Sequence, residues 1–249
     1  MRYGNADEEL ACVLATEAGQ LLLRVRTDFA DRGAAERGDE GDRQAQAFLG
    51  RRLADARPQD AILSEESLDD RRRLNAARVW IIDPLDGTRE FAELGRTDWA
   101  VHVAFWASGD VVAGAVALPA LGVTLWTADV PLPTPSVRRP RIVASRTRPP
   151  AFAALVADSL GGELVLMGSV GAKVAAVVQG DADVYIHAGG QHEWDSAAPV
   201  AVARAAGLHI SRIDGSPLEY NRPDPVLPDL LVCRRELAPP VFKALRGKS

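Results

Sequence analysis

Four prolines, Pro131, Pro133, Pro135 and Pro140, fall within ten residues and separate two stretches of chain whose apolar residues follow different rhythms. A proline-rich segment with little to bury continues neither a helix nor a central strand, so residues 131–140 are expected to link two units. Before it, Leu10, Val13, Leu14, Leu21 and Leu22 recur at helical spacing behind Asp7, which predicts a first helix capped by that aspartate. Residues 27–41 mix Gly, Asp, Glu and Arg without a period and read as a loop. Phe48, Leu49 and Leu53 then resume a helical stripe, with Asp42 where the helix begins. Residues 79–82 form an apolar run ended by Asp83-Pro84, the pattern of a buried strand stopped by proline. Runs rich in β-formers at 99–105, 111–118 and 123–126, separated by turn residues, predict an antiparallel meander. Residues 1–130 are thus expected to form an α+β unit.

Beyond the linker, strand-like runs at 141–144, 164–167, 184–187, 208–213 and 230–233 alternate with helix-like runs at 151–160, 172–179, 196–206 and 240–245. Alternation of that kind implies an α/β layer for residues 141–249. With 47% hydrophobic residues in 249, the chain can bury a sizeable core. A formal charge of -5 with both signs interspersed leaves no electrostatic footprint for nucleic acid or an anionic membrane. An anionic ligand must therefore be met by a local site, and a metal is the natural means. The first residues hold no apolar run, and no stretch approaches the ~20 apolar residues of a membrane span, so neither a signal peptide nor a membrane partner is expected. Cys12 and Cys233 fit no ligand spacing. They read as reduced, buried thiols of a cytoplasmic protein.

The segment Trp80-Ile-Ile-Asp-Pro-Leu-Asp-Gly-Thr-Arg-Glu-Phe91 carries the most chemistry. Asp83 and Asp86 stand three apart just past a buried strand, and hard cations such as Mg²⁺ take carboxylate and carbonyl oxygens held in fixed positions. The Leu85 carbonyl lies between the two acids. Backbone N–H groups of Gly87 and Thr88 at a helix start suit a phosphate oxygen. Read alone, the segment is equally a polar turn with an Asp cap. Two further acidic places bear on it. Ser64-Glu65-Glu66-Ser67 follows an apolar run, and Trp194-Asp195-Ser196-Ala197 opens a small-residue helix where Asp195 could be an N-cap.

Together, Glu65-Glu66, Asp83-Pro-Leu-Asp-Gly-Thr88 and Trp194-Asp-Ser-Ala197, in that order, resemble the inositol monophosphatase superfamily along nearly the whole chain. The resemblance implies a layered αβαβα sandwich and a magnesium-dependent phosphomonoesterase with two or three Mg²⁺ per site, sensitive to Li⁺. Carried over by position, Glu65, Asp83 and the Leu85 carbonyl would hold a first metal, and Asp83, Asp86 and Asp195 a second, with Glu66 in support. Thr88 paired with Asp42 would activate the water. The threonine that precedes this aspartate in the family pattern is missing here, and Asp42 could instead be a plain helix cap.

Arg89-Glu90-Phe91 after the catalytic turn is similar to the CysQ-type branch, which removes the 3′-phosphate of 3′-phosphoadenosine 5′-phosphate (adenosine 3′,5′-bisphosphate) in sulfur assimilation, giving AMP and phosphate. The sulfated nucleotide is a further expected substrate. His187 stands where inositol enzymes place a sugar-contacting glutamate. The resemblance further suggests substrate contacts at Ser145, Arg146, Gly168, Ser169, Lys173 and Tyr220. A solvated Lys173 and a merely packed Tyr220 are the plain alternatives. Inositol monophosphate and fructose 1,6-bisphosphate are rival substrates, and a metal-dependent nucleotide sensor without turnover is a rival of another class. Relatives are often dimers, so a homodimer is a further expectation.

Overall fold

In a computed structural model, residues 5–132 and 138–246 are described, so residues 133–137 of the expected linker lie outside the described residues. The two-residue alternation of strands decides the architecture. In β2 (Arg78–Asp86), Val79 and Ile81 face one way, Trp80 and Ile82 the other, and all four are buried. That is the mark of a strand covered on both faces. β3 (Ala100–Ala107) repeats it, with Ala100 and Ala104 on the first side and Val101, Val103 and Phe105 on the second.

With β1 (Ala61–Ser64), β4 (Asp110–Leu118) and β5 (Val123–Trp126), these strands form a sheet in the order β1-β2-β3-β4-β5, parallel only between β1 and β2. The second sheet takes β6 (Arg141–Ser145), β7 (Glu163–Met167), β8 (Val184–His192), β9 (His209–Ser211) and β10 (Val226–Cys233) in the order β7-β6-β8-β10-β9. Its β6 runs parallel to β7 and β8, while β10 is antiparallel to both neighbours.

Among the described residues, seven helices cover the four sheet faces: α1 (Asn5–Asp28), α2 (Ala34–Ala56), α3 (Thr88–Ala92), α4 (Ala153–Ser159), α5 (Val170–Gln179), α6 (Glu193–Ala205) and α7 (Ala238–Arg246). Leu14 and Leu22 of α1 and Leu49 of α2 pack with Trp80 and Phe105. Val177 of α5 and Val200 of α6 lie in a second core with Ile81 of the first sheet and Tyr185 and Val232 of the second. Val156 of α4 and Val241 of α7 share a third core with Ile142, Ile186 and Leu231. The layers therefore run αβαβα, as the resemblance implies. Each Leu, Ile or Val so buried contributes about 1.5–3 kcal/mol, which leaves α5 and α6 firmly held between the sheets.

Two local expectations are corrected. The segment read as a loop over 27–41 is mostly helical, because α1 runs to Asp28 and α2 starts at Ala34. No apolar stripe marks this turn because its anchors are of another kind. Arg37 is buried and donates to the carbonyls of Phe29, Ala30, Arg32 and Ala92, while a Cβ at Gly38 would come within 2.9 Å of Thr88 and one at Gly41 within 2.7 Å of Phe91. Asp42 therefore sits in the third turn of α2 and is no helix cap. Likewise, Pro84 does not stop β2. The ladder to β3 slips by one residue between Asp83 and Asp86, and the proline, lacking an N–H, sits in that bulge.

Candidate metal centre

Strand parity aims the first acid. Asp83 lies two residues beyond Ile81, so it shares the face that looks onto α5 and α6, opposite His102 of β3. The bulge after it re-aims the strand end and brings Asp86 to the same side. Asp195, the third residue of α6, arrives from the helix layer, its Oδ2 accepting the His192 N–H at 2.6 Å. It thus stands inside the first turn, with His192 at the cap position, where the helix dipole favours an anion. One carboxylate oxygen from each of Asp83, Asp86 and Asp195 lies within 4.8 Å of the others.

Three acids so placed repel one another, and their protonation reports it. Burial, then the charges of Glu65, Asp86 and Asp195, push Asp83 well above the usual carboxylate range. Burial and Asp86 push Asp195 up to about 6. Glu65, the first residue past β1, is exposed as a whole, yet desolvation of its carboxyl with Asp195 and Asp86 nearby pushes it up to about 8. Asp86 goes the other way. Burial pushes it up too, but His102, Lys173 and Ser169 outweigh that and hold it below its ordinary value. Its Oδ2 accepts from Ser169 Oγ at 2.6 Å and the Gly171 N–H at 2.7 Å and lies 3.2 Å from His102 Nε2. By contrast, among the described residues Asp83 Oδ2 is buried without a donor partner, Oδ1 accepts the Leu85 N–H, and the side chain that bonds Asp83 is another acid, Glu65. An orphaned buried carboxylate oxygen among like charges costs several kcal/mol. A divalent cation supplies what is missing, and an all-oxygen donor set suits Mg²⁺.

Thr88 opens α3 behind Gly87, whose φ of 89° lies in the left-handed region. Its Oγ1 lies 3.3 Å from both Asp42 Oδ1 and the Leu85 carbonyl. The structure thus brings Asp42, Thr88 and Leu85 together across 46 residues of sequence. Burial, then Glu66, pushes Asp42 up to about 7. Glu66 also joins Asp42 in lining a cavity of about 430 Å³ along α2.

The residues expected at the substrate divide sharply. Ser145 and Arg146 are half-buried, and Arg146 pairs with Glu90 and Glu93. Gly168 packs so close to Glu90 that a Cβ would fall 2.2 Å from its Cγ. Ser169, with φ 42°, caps α5 and holds Asp86. Lys173 and Tyr220 turn inward. The Lys173 ammonium is buried, donating to the carbonyls of Gly168 and Ser169 above the Tyr185 ring, and burial lowers it to about 8. Tyr220 sits in the central core, its hydroxyl paired with Ser196 Oγ at 3.1 Å. His187 is likewise buried, against the Gly189 carbonyl.

Sequence reasoning missed His102, whose Nδ1 lies 3.2 Å from the Trp194 carbonyl while Nε2 approaches Asp86. A lone histidine within Trp99-Ala-Val-His-Val-Ala-Phe105, an otherwise apolar strand, is the signal that could have found it.

Fold and site together define a layered αβαβα protein with a buried carboxylate cluster able to hold a cation, and comparison places it in a family. The model of the inositol monophosphatase family matches residues 6–131 and 136–246, so the chain belongs to that family. It is 51% identical to the 3′-phosphoadenosine 5′-phosphate phosphatase of Mycobacterium leprae (strain TN), over 96% of this chain and 93% of that protein. Among solved structures, CysQ from Bacteroides thetaiotaomicron is 26% identical with a TM-score of 0.77, covering 94% of this chain and 98% of that one. Inositol monophosphatase II from Staphylococcus aureus, 19% identical over 96% of this chain and 93% of its own, has the same fold with a TM-score of 0.79.

Proposed function

We propose that the chain is a Mg²⁺-dependent phosphatase that removes the 3′-phosphate from 3′-phosphoadenosine 5′-phosphate. The observation that carries the metal chemistry is the cluster of Asp83, Asp86 and Asp195 with its unpartnered Asp83 oxygen. The 51% identical relative named for this substrate supports the choice of ester. Glu65, Asp83, Asp86, Asp195 and the Leu85 carbonyl hold the cations. Bound Mg²⁺ supplies the positive charge that offsets these acids and stabilises charge on the phosphoryl oxygens and leaving group.

The chain's own part is to orient the water and take its proton. Thr88 Oγ1 donates to Asp42 Oδ1 and so presents its lone pairs to the attacking water. Asp42, pushed up to about 7, is poised to accept a proton near neutral pH. The Gly87 and Thr88 amides at the start of α3 meet a phosphate oxygen, and Ser145 and Arg146 lie on the substrate side. Phosphate release from the bisphosphate nucleotide, inositol 1-phosphate and fructose 1,6-bisphosphate, with and without Mg²⁺, tests the reading. The nucleotide is expected to have the highest kcat/KM, with release abolished by EDTA. A higher kcat/KM for either sugar phosphate would overturn the substrate, and Mg²⁺-independent release would overturn the metal chemistry.

A further inference from the structure

Arg73 is a charged side chain with 0% of its surface exposed, although residues 65–72 around it are all exposed. It sits on the short 3-10 helix Arg71–Asn75 that follows the Glu65-Glu66 corner. Its guanidinium is spread over three partners. Nε and Nη2 donate to the two oxygens of Asp69 at 2.6 and 3.0 Å, Nη1 to Asn221 Oδ1 at 2.8 Å, and Nη2 to the Arg222 carbonyl at 2.9 Å. Asn221 answers by donating Nδ2 to the Arg73 carbonyl at 3.2 Å. The backbone N–H groups of Asn221 and Arg222 in turn donate to the two oxygens of buried Glu193, at 2.6 and 2.7 Å. Glu193 is the first residue of α6, two before Asp195, and its own N–H is held by the Pro225 carbonyl.

One chain of short polar contacts thus runs from the corner that carries Glu65 to the helix start that carries Asp195. Glu65 and Asp195 belong to segments 130 residues apart, and both are acids of the one candidate cation site. Segments bearing like charges need a restraint that keeps them together before a cation arrives. Leu63 and Ala197 anchor the neighbouring ends of β1 and α6 in one core, but residues 65–72 are exposed, so the corner past β1 is tied to the start of α6 by this polar bridge. The chain has committed a buried arginine, a buried glutamate and an asparagine with φ of 58° to this bridge, and such groups are costly unless every partner is in place.

We infer that Arg73, Asn221 and Glu193 form a clamp that positions Glu65 and Asp195 for the cation, so that it sets metal affinity rather than the chemical step. The inference rests on the metal-centre reading above. Asn221→Gly keeps the left-handed backbone and the amide donation to Glu193 but removes both side-chain bonds to Arg73. Asn221→Asp restores the oxygen that accepts from Arg73. Mn²⁺ binding to the substrate-free enzyme, measured by calorimetry, is expected to weaken about 10-fold in Asn221→Gly, the scale of losses when groups behind metal ligands are removed. Asn221→Asp is expected to recover most of it, and kcat at saturating Mg²⁺ to stay near wild type in both. Arg73→Lys, which keeps the charge and loses the fork, is expected to weaken Mn²⁺ binding similarly. A lower melting temperature with unchanged Mn²⁺ affinity in Asn221→Gly would overturn the clamp and leave a merely structural network. Wild-type protein that takes up no Mn²⁺ would overturn the metal centre and the clamp with it.

Discussion

The end of β2 and the start of α5 touch at Asp86, yet they use polar groups in opposite ways. Past Ile82 the chain gathers carboxylates that repel one another and leaves Asp83 Oδ2 without a partner. At the start of α5 the polar side chains and the first amide are answered by the protein itself: Gly168 N–H by Asp98, Ser169 Oγ by Asp86, and the Lys173 ammonium by two carbonyls. Both segments look like ligand sites in the sequence, one for cations and the other for phosphate. A site built for a cation stays frustrated until the cation binds, whereas a turn built for rigidity satisfies itself. Only the first signals a ligand.

The sharpest way to break this contrast is to relieve the frustration. Asp83→Asn removes the charge at the centre of the cluster, and phosphatase activity is expected to fall to background with the fold intact. In EDTA, however, the variant is expected to melt above the wild type, because folding no longer has to protonate a buried acid or hold it charged among other acids. Activity assays with thermal melts in EDTA and in Mg²⁺ check both halves. A folded variant with near-wild-type turnover would dismantle the metal assignment.

Next in size is the water-activating pair. Thr88→Ala or Asp42→Ala is expected to lower kcat by about 10²–10⁴-fold, the range of a general acid/base device. The double variant should cost little more than either single one, because the two act as a unit. Full activity in Asp42→Ala would place the base elsewhere.

A third test reads frustration as a pH dependence of stability. Asp195 and Glu65, pushed up to about 6 and 8, bind protons more tightly folded than unfolded. For acids with raised folded values, the metal-free protein must lose stability as pH rises from the unfolded carboxylate range near 4 towards 8. Melting temperatures in EDTA are expected to fall across that window, and Mg²⁺ to flatten the slope. A flat profile in EDTA would mean that the carboxylates are neither desolvated nor in one another's field.

How much of this the sequence carries differs from element to element. Strands such as β2 and β3 are legible because burial on both faces leaves a continuous apolar run, and helices such as α1 because burial on one face imposes a period. The start of α2 is not, since Arg37, Gly38 and Gly41 anchor it through carbonyl bonds and close approach, which leave no hydrophobic trace. The carboxylates beside Asp83 are legible as a motif, and the strand parity that aims Asp83 follows from Val79 and Ile81. The direction of Lys173 and Tyr220 is not, because a lysine one turn into a helix and a tyrosine near prolines look alike whether they face a ligand or the core. Distance along the chain hides the Asp42–Thr88 pair and the Arg73–Asn221 bridge from any local reading.

The smallest expected effects come from the self-satisfied side, and they decide whether it is structural at all. Lys173→Met keeps an unbranched chain over Tyr185 but leaves the Gly168 and Ser169 carbonyls without their donor, at a cost of about 1–3 kcal/mol for a buried group left unpaired. Loss of the buried ammonium's own desolvation offsets part of that, so the lower end of the range is expected. Tyr220→Phe, which removes only the bond to Ser196, is expected to cost about 0.5–1.5 kcal/mol. In neither variant should the kcat/KM preference for a 3′,5′-bisphosphate over the corresponding 3′-monophosphate change, because neither side chain reaches solvent. Denaturant melts set against that ratio separate the two roles. If Lys173→Met kept its stability and lost the preference, the ammonium would have to leave its two carbonyls for the 5′-phosphate, and the start of α5 would be a ligand loop after all.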